Sequence, residues 1–198
     1  MGNLKQSDKV LEFLRNNGGQ ITYEQAKNIG VSTITLSRMN KLNQIEKLMP
    51  GVYIDPIELG DDFAALQYRF SKGVYFRDNA LFLYGMIDRT PSRYEMNFPL
   101  SYSYSQKLNV PLKIFRQRND LYQLGITKIQ SPGGHWVNTY SVERTLCDIL
   151  RIRSDPETIK QAMNSYVQME GRDLRSLLDF AEIFNVKDEI MNYMSVLL

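Results

Sequence analysis

The chain has 198 residues, 43% hydrophobic and 23% charged, the balance of a soluble globular protein long enough for one or two cores. A net charge of +2 excludes a polycation, so any nucleic-acid footprint must rest on local placement of charge. The lone Cys147 excludes an internal disulfide, and the absence of a bilayer-length apolar run or a secretory apolar core in MGNLKQSDKV makes a cytoplasmic location, with no membrane partner, the expectation.

The first element is a helix over SDKVLEFLRNN, with Val10, Leu11 and Leu14 on its apolar side. In ITYEQAKNIG, Thr22 can cap a second helix that Gln25 closes from the N3 position, and Gly30 suits the left-handed residue that ends it. Ser32 then caps STITLSRMNKL. The two caps are ten residues apart, the spacing of a DNA-reading helix pair. Beyond Leu42, IEKLMPGVYID gives two short apolar runs around Pro50-Gly51, a turn pair that can join a hairpin. Two helices, a tight turn and a hairpin in this order predict a winged helix-turn-helix over residues 1–58.

Helical periodicity puts Leu36 and Met39 on the inner side of the Ser32-capped helix, and Ile34, Ser37, Arg38 and Lys41 on the outer side. The outer side carries two cations, a hydroxyl and an aliphatic group, and no carboxylate. Arginine can fork to guanine, hydroxyls can reach base edges or phosphate, and an aliphatic group can touch the thymine methyl. The candidate DNA-binding residues are therefore Ser32, Thr33, Ile34, Ser37, Arg38 and Lys41, with Lys47 on the wing for a flanking phosphate. The bland alternative is an ordinary polar helix face.

PIELGDD reads as a junction, with a boundary near residue 58. DDFAALQYRFSK follows as an amphipathic helix capped by Asp61 or Asp62, then a strand VYFR and a helix NALFLYGM capped by Asp78 and stopped near Gly85. YEMNFPL, PLKIFR, ITKIQS and HWVNTYS read as strands broken at Asn119-Asp120, Gly125 and Pro132-Gly133-Gly134. Helices return in SVERTLCDILRI and in SDPETIKQAMNSYVQM, which starts on Asp155 with Pro156 at the first helical position. The last helical stretch, from Asp173 to Leu198, has a break near Asn185. The class is thus α+β: a winged helix-turn-helix, then residues 59–198 as a mixed α/β domain ending in helices.

Catalytic equipment is sparse. His135 is the only histidine, so no multi-histidine metal site exists, and it reads as a turn or strand-end residue. Cys147 sits in the apolar stripe of its helix and reads as a small buried hydrophobe. No phosphate loop of the GxxxxGK[ST] type and no GxSxG elbow is present. Asp78, Asp88, Glu95 and Glu143 can gather into a magnesium site only if the fold brings them together; read separately they are caps or surface acids. No catalytic residue, metal or cofactor is assigned. A second basic region runs through Lys107, Lys113, Arg116, Arg118 and Lys128, interleaved with Tyr102, Tyr104, Phe115 and Tyr122. Such a mixture can follow a phosphate backbone and stack on bases, or it can be a solvated strand face. Arg89 and Arg93, around Pro91, form a smaller basic loop that can add to that surface.

The blocks GVSTITLSRMNKLNQIEKLMPGVYI, NALFLYGMIDRTPSRYEMNFP and NTYSVERTLCDILR together resemble the AbiEi-type antitoxins, bacterial transcriptional regulators found beside nucleotidyltransferase toxins in abortive-infection (phage-defence) loci. The resemblance implies an N-terminal domain that binds inverted repeats of double-stranded DNA in its own promoter and represses the operon, with the recognition helix over Ser32 to Lys41 and the wing over Glu46 to Tyr53. It also implies a C-terminal antitoxin domain of type IV, which opposes the toxin's effect without forming a stable complex with it. Leu48-Met49-Pro50 departs from relatives that carry basic residues there, which leaves Lys47 with most of the wing's phosphate contact. Two other readings of the C-terminal domain stay open: an enzyme acting on nucleotide or RNA, and a module that binds the toxin directly.

Overall fold

The computed structural model describes residues 5–104 and 110–197, and its chain forms two compact units, Met1–Ser71 with Gln130–Trp136, and Lys72–Ile129 with Val137–Leu198. The sequence-based boundary near residue 58 falls inside the first unit.

In the first unit, α1 (Gln6–Asn16) is followed by β1 (Gln20–Thr22), α2 (Tyr23–Asn28), α3 (Thr33–Lys41), β2 (Glu46–Met49), β3 (Val52–Ile54) and α4 (Asp62–Arg69). The ends of α2 are local chemistry. Thr22 and Gln25 form a reciprocal capping box, the Gln25 N–H donating to Thr22 Oγ1 at 3.2 Å and the Thr22 N–H to Gln25 Oε1 at 2.8 Å. Gly30, at φ +73°, lets the Val31 N–H turn back to the Ala26 carbonyl at 2.8 Å and close the helix. Pro50 and Gly51 join β2 to β3, with Gly51 at φ +86°, the residue type and sign that a type II turn needs at its third position. β1 was not anticipated. It pairs antiparallel with β3 from Gln20↔Ile54 to Thr22↔Val52, so the sheet order is β1-β3-β2. Val10, Leu14, Leu36, Met39, Ile45 and Tyr53 share the buried core beneath it, with Leu11 packed alongside.

Also in the first unit, the turn around Gly133 is tied to α4 by one carboxylate. Asp61 caps α4 through Oδ1, which accepts from the Ala64 N–H at 3.1 Å; its Oδ2 accepts from Ser131 Oγ and lies 2.8 Å from His135 Nδ1. His135 Nε2 faces the Asn17 carbonyl at 3.3 Å. The single histidine is thus a tether for its turn, with a partner 74 positions away that no spacing rule points to.

The second unit holds β4 (Val74–Tyr75), α5 (Asp78–Leu83), β5 (Tyr94–Pro99), β6 (Leu112–Gln117), α6 (Asn119–Tyr122), β7 (Ile126–Gln130) and β8 (Trp136–Tyr140), then α7 (Val142–Arg151), α8 (Pro156–Gln168), α9 (Leu174–Ile183) and α10 (Lys187–Leu197). Its sheet runs β6-β5-β4-β8-β7, with β5 parallel to β6, β4 parallel to β8 and β4 antiparallel to β5. Both units together are mixed α+β. Leu146, Ile149, Met163, Leu177, Ala181 and Ile190 anchor the helical core, in which Cys147 is fully buried. Ser141 and Asp155 cap α7 and α8, and Asn185, at φ +56°, separates α9 from α10.

Two local expectations are corrected. The Asn119-Asp120 break is itself the short helix α6. Asp78 is the first residue of α5 and not its cap; Arg77 takes the cap position at φ +52° without a side-chain cap, and the Asp78 carboxylate accepts from Ser154 Oγ at 2.9 Å instead.

The largest fully buried side chain is Arg144, on α7. Its Nε donates to Asp148 Oδ2 at 2.7 Å, Nη1 to the Leu121 and Leu124 carbonyls at 2.8 and 2.9 Å, and Nη2 to Gln117 Oε1 at 2.8 Å. The guanidinium lies 4.3 Å from the Tyr140 ring centroid and 4.1 Å from that of Phe184. Asn97 donates to both Gln117 Oε1 and Tyr140 Oη, at 2.8 and 2.7 Å, so the network links β5, β6, β8 and α7.

Candidate nucleic-acid interface

The helix pair α2–α3 is held by its caps. Ser32 Oγ accepts from the Thr35 N–H at 3.2 Å, and the Ser32 N–H donates to Gln6 Oε1 of α1 at 3.1 Å, which pins the start of α3 to the first helix. From that start the helical period turns Leu36 and Met39 into the core and leaves Thr33, Ile34, Ser37, Arg38 and Lys41 exposed, together with Ser32. Ile34 is 77% exposed, an apolar group held out in solvent on the same side as the two cations. No acid lies in α3. Lys47 is exposed on β2. It lines an open groove of about 500 Å3 with Tyr23, Gly51, Tyr68 and Arg69. The hydroxyl of Tyr23, which also lines this groove, meets that of Tyr53 at 3.2 Å. The hydrogen bond to Tyr53, burial and the neighbouring phenol push the Tyr23 hydroxyl above its ordinary range, against the opposing pull of a hydrogen bond with Ser37.

The second basic region is not brought together. Lys113 and Arg116 stand three apart on β6 and so point to opposite faces of the sheet, while Lys128 is on β7 at the other edge, about 19 Å away across the intervening strands. Arg118 pairs with Asp120 at 2.7 Å, Arg116 donates to the Tyr102 carbonyl at 2.9 Å, and Lys113 sits 4.6 Å from the Phe115 ring centroid. Lys107 lies outside the described residues. The interleaved aromatics are engaged as well: Phe115 and Tyr122 pack against Val74, Phe76 and Tyr140, and Tyr102 stacks on Phe98 at 4.3 Å. Arg89 and Arg93 are exposed on the loop before β5, and Arg93 pairs with Glu95, the residue opposite Lys113 in the β5–β6 register.

Each of the four carboxylates considered for a metal is engaged separately. Glu95 pairs with Arg77 and Arg93 at 3.3 and 3.1 Å, Asp78 accepts from Ser154, Asp88 from Gln161 at 2.8 Å, and Glu143 from the Tyr166 hydroxyl at 3.4 Å. Among the described residues no three potential metal ligands of the His, Cys, Asp and Glu types cluster. Burial pushes the Cys147 thiol up to about 12. Among the described residues no helix is long and apolar enough to cross a membrane.

The caps, the exposed α3 face and the β2–β3 hairpin all lie in one stretch. Residues 8–54 match the family described as transcriptional regulator, AbiEi antitoxin. The resemblance to AbiEi-type antitoxins holds over that span, which runs from within α1 to the end of β3 and includes every residue named on the α3 face, as well as Lys47. Among solved structures, the crystal structure of the RV2827C protein from Mycobacterium tuberculosis is similar with a TM-score of 0.53 at 13% identity, covering 97% of this chain and 80% of that one, which shows a shared fold. Comparison with curated proteins gave no match. Arg144, Asp61, His135 and the arginine-lined loop before β5 lie outside the AbiEi-matched span; the sequence named Asp61 or Asp62 as the cap of α4, which the Ala64 N–H bears out for Asp61, and His135 as a turn residue, but it did not show the Asp61–His135 contact or the Arg144 network, whose partners are distant in the chain.

Proposed function

We propose that the AbiEi-type segment is a winged helix-turn-helix that reads double-stranded DNA with α3 in the major groove and represses its own operon at inverted repeats. The observation that carries this reading is the acid-free outer side of α3, where Arg38, Lys41, Ser37 and the exposed Ile34 stand together. Arg38 supplies a fork for guanine, Ile34 a surface for a thymine methyl, and Lys41 and Lys47 point charges for phosphates. Residues 59–198 act as the antitoxin part, opposing a nucleotidyltransferase-like toxin in the type IV manner, without a stable complex and without catalysing a reaction. The family match over residues 8–54 supports the regulator and antitoxin role in its general form.

The test is fluorescence anisotropy on DNA from upstream of the gene over a series of salt concentrations. Replacing Arg38 and Lys41 together by alanine should weaken binding roughly tenfold or more and flatten the dependence of log K on log salt by about 1 to 2. Unchanged affinity and slope would show that α3 is not in the groove. For the second half of the proposal, co-expressed toxin and antitoxin should elute separately from a sizing column while the antitoxin still restores growth; co-elution would favour direct toxin binding instead.

A further inference from the structure

A cavity of about 280 Å3 in the second unit, walled by the start of α5, the start of β5 and the α7–α8 connection, is not used by the DNA-binding reading. We propose that it binds a small phosphorylated ligand of nucleoside-monophosphate size. The volume lies just under the usual span of ligand-sized cavities, roughly 300–1,000 Å3, so only a small ligand is accommodated.

Four arginines, Arg77, Arg89, Arg93 and Arg153, face the cavity against three acids. The acids are already committed. Glu95 holds Arg77 Nη1 at 3.3 Å and Arg93 Nε at 3.1 Å, Asp78 accepts from Ser154 Oγ, and Asp155 accepts the Glu157 and Thr158 N–H groups at 3.2 and 3.3 Å as the cap of α8. The cations at the mouth are not. Among the described residues neither Arg89 nor Arg153 has an ion-pair partner, and Arg93 meets Glu95 through Nε alone, so three exposed guanidiniums present open donors to a multiply charged anion.

The wall is also incomplete by its own hydrogen bonds. Asn79 is 1% exposed; its Nδ2 donates to the Arg93 carbonyl at 3.0 Å, while its Oδ1 accepts from no group. Arg77 is 7% exposed and its Nε has no acceptor, although Nη1 and Nη2 are bound. A buried acceptor and a buried donor left open on one cavity call for a ligand with both a donor and an acceptor beside its anionic group, such as a sugar hydroxyl or a base amide. Arg77 and Arg153 moreover hold φ of +52° and +51°, a region that non-glycine residues adopt at a cost, and both line this one cavity. Phosphate is favoured over carboxylate because three guanidiniums are served by a dianion with three terminal oxygens.

Calorimetric titration of the full chain with each nucleoside 5′-monophosphate, with unphosphorylated nucleosides and with inorganic phosphate tests the assignment. At least one monophosphate should bind saturably, roughly tenfold or more tighter than its nucleoside and than inorganic phosphate. The variant Arg89→Ser with Arg153→Gly removes two exposed cations, and glycine suits the left-handed φ at 153, so it should melt like the wild type and lose roughly tenfold in affinity. Absence of binding by every monophosphate at millimolar concentration would overturn the proposal, as would equal binding of nucleoside and nucleotide or a folded variant with unchanged affinity. Inorganic phosphate binding as tightly as any nucleotide would overturn the nucleotide-sized ligand, and affinity that grows with the length of a single-stranded RNA would assign the arginines to a polymer instead.

Discussion

Replacing Arg144 by methionine keeps the apolar stem of the side chain and deletes its charge, its four hydrogen bonds and the guanidinium that stacks on Tyr140 and Phe184. Breaking a buried ion pair from one side costs about 3–5 kcal/mol, since the remaining charge stays in a medium that solvates it poorly. Two features set where in that range this case falls. Asp148 keeps Arg151 at 3.0 Å, and burial already pushes its carboxyl upward against the pull of the two guanidiniums, so it can protonate, which moderates the loss. Against this, the Leu121 and Leu124 carbonyls lose their charged donor, at about 1 kcal/mol or more each. The net expectation is about 4–5 kcal/mol, a large part of the ~5–15 kcal/mol that stabilises a domain. Differential scanning calorimetry should show the transition of the second unit lowered by roughly 12–20 °C. The double variant Arg144→Met with Asp148→Leu, which removes both charges, should recover part of that loss. A single variant melting within about 3 °C of wild type, or a double variant worse than the sum of the singles, would refute the claim that this ion pair organises the unit.

The Asp61–His135 contact gives a pH signature. The hydrogen bond to Asp61 holds the His135 imidazolium above its ordinary value despite burial, so the stability it contributes is complete below about pH 6.5 and is lost as pH rises through the folded value. Burial pushes the Asp61 carboxyl up, but the bonds from His135, Ser131 and the Ala64 N–H outweigh it and hold it below the ordinary value, so its contribution is present above about pH 3.9 and lost as pH falls further. Melting of the first unit should therefore decline as pH rises above about 6.5, and His135→Gln should flatten that decline; an unchanged profile in the variant would exclude the contact as its source. At the same turn, a Cβ on Gly133 would lie 2.7 Å from Asp61 Oδ2, so Gly133→Ala should cost about 1–3 kcal/mol by steric conflict, read from chemical denaturation. Gly134→Ala, with open space but φ of +80°, should cost about 1 kcal/mol from the backbone alone. Cys147, with its thiol raised to about 12 by burial, should resist a thiol reagent in the native protein and react stoichiometrically in guanidinium; rapid labelling of the folded chain would contradict its burial.

What the amino-acid sequence determined by itself is the part of the molecule whose causes lie within a few residues. The Thr22–Gln25 box, the Ser32, Asp61 and Asp155 caps, the Pro50-Gly51 turn and the inner and outer sides of α3 each depend on groups no more than four positions apart or on a helical period, and each was legible without coordinates. Tertiary structure decided the rest. β1 is three residues long and exists because β3 lies beside it; the cations of β6 and β7 are separated because the chain inserts β4, β5 and β8 between those edges. Asp61 finds His135 across 74 positions, Arg77 finds Ser154 across 77, and Arg144 gathers acceptors from α6 and β6. A lone charged or polar residue in a sequence is compatible with solvent, with a cap or with burial, and the choice is made by which distant partner can replace the water it gives up.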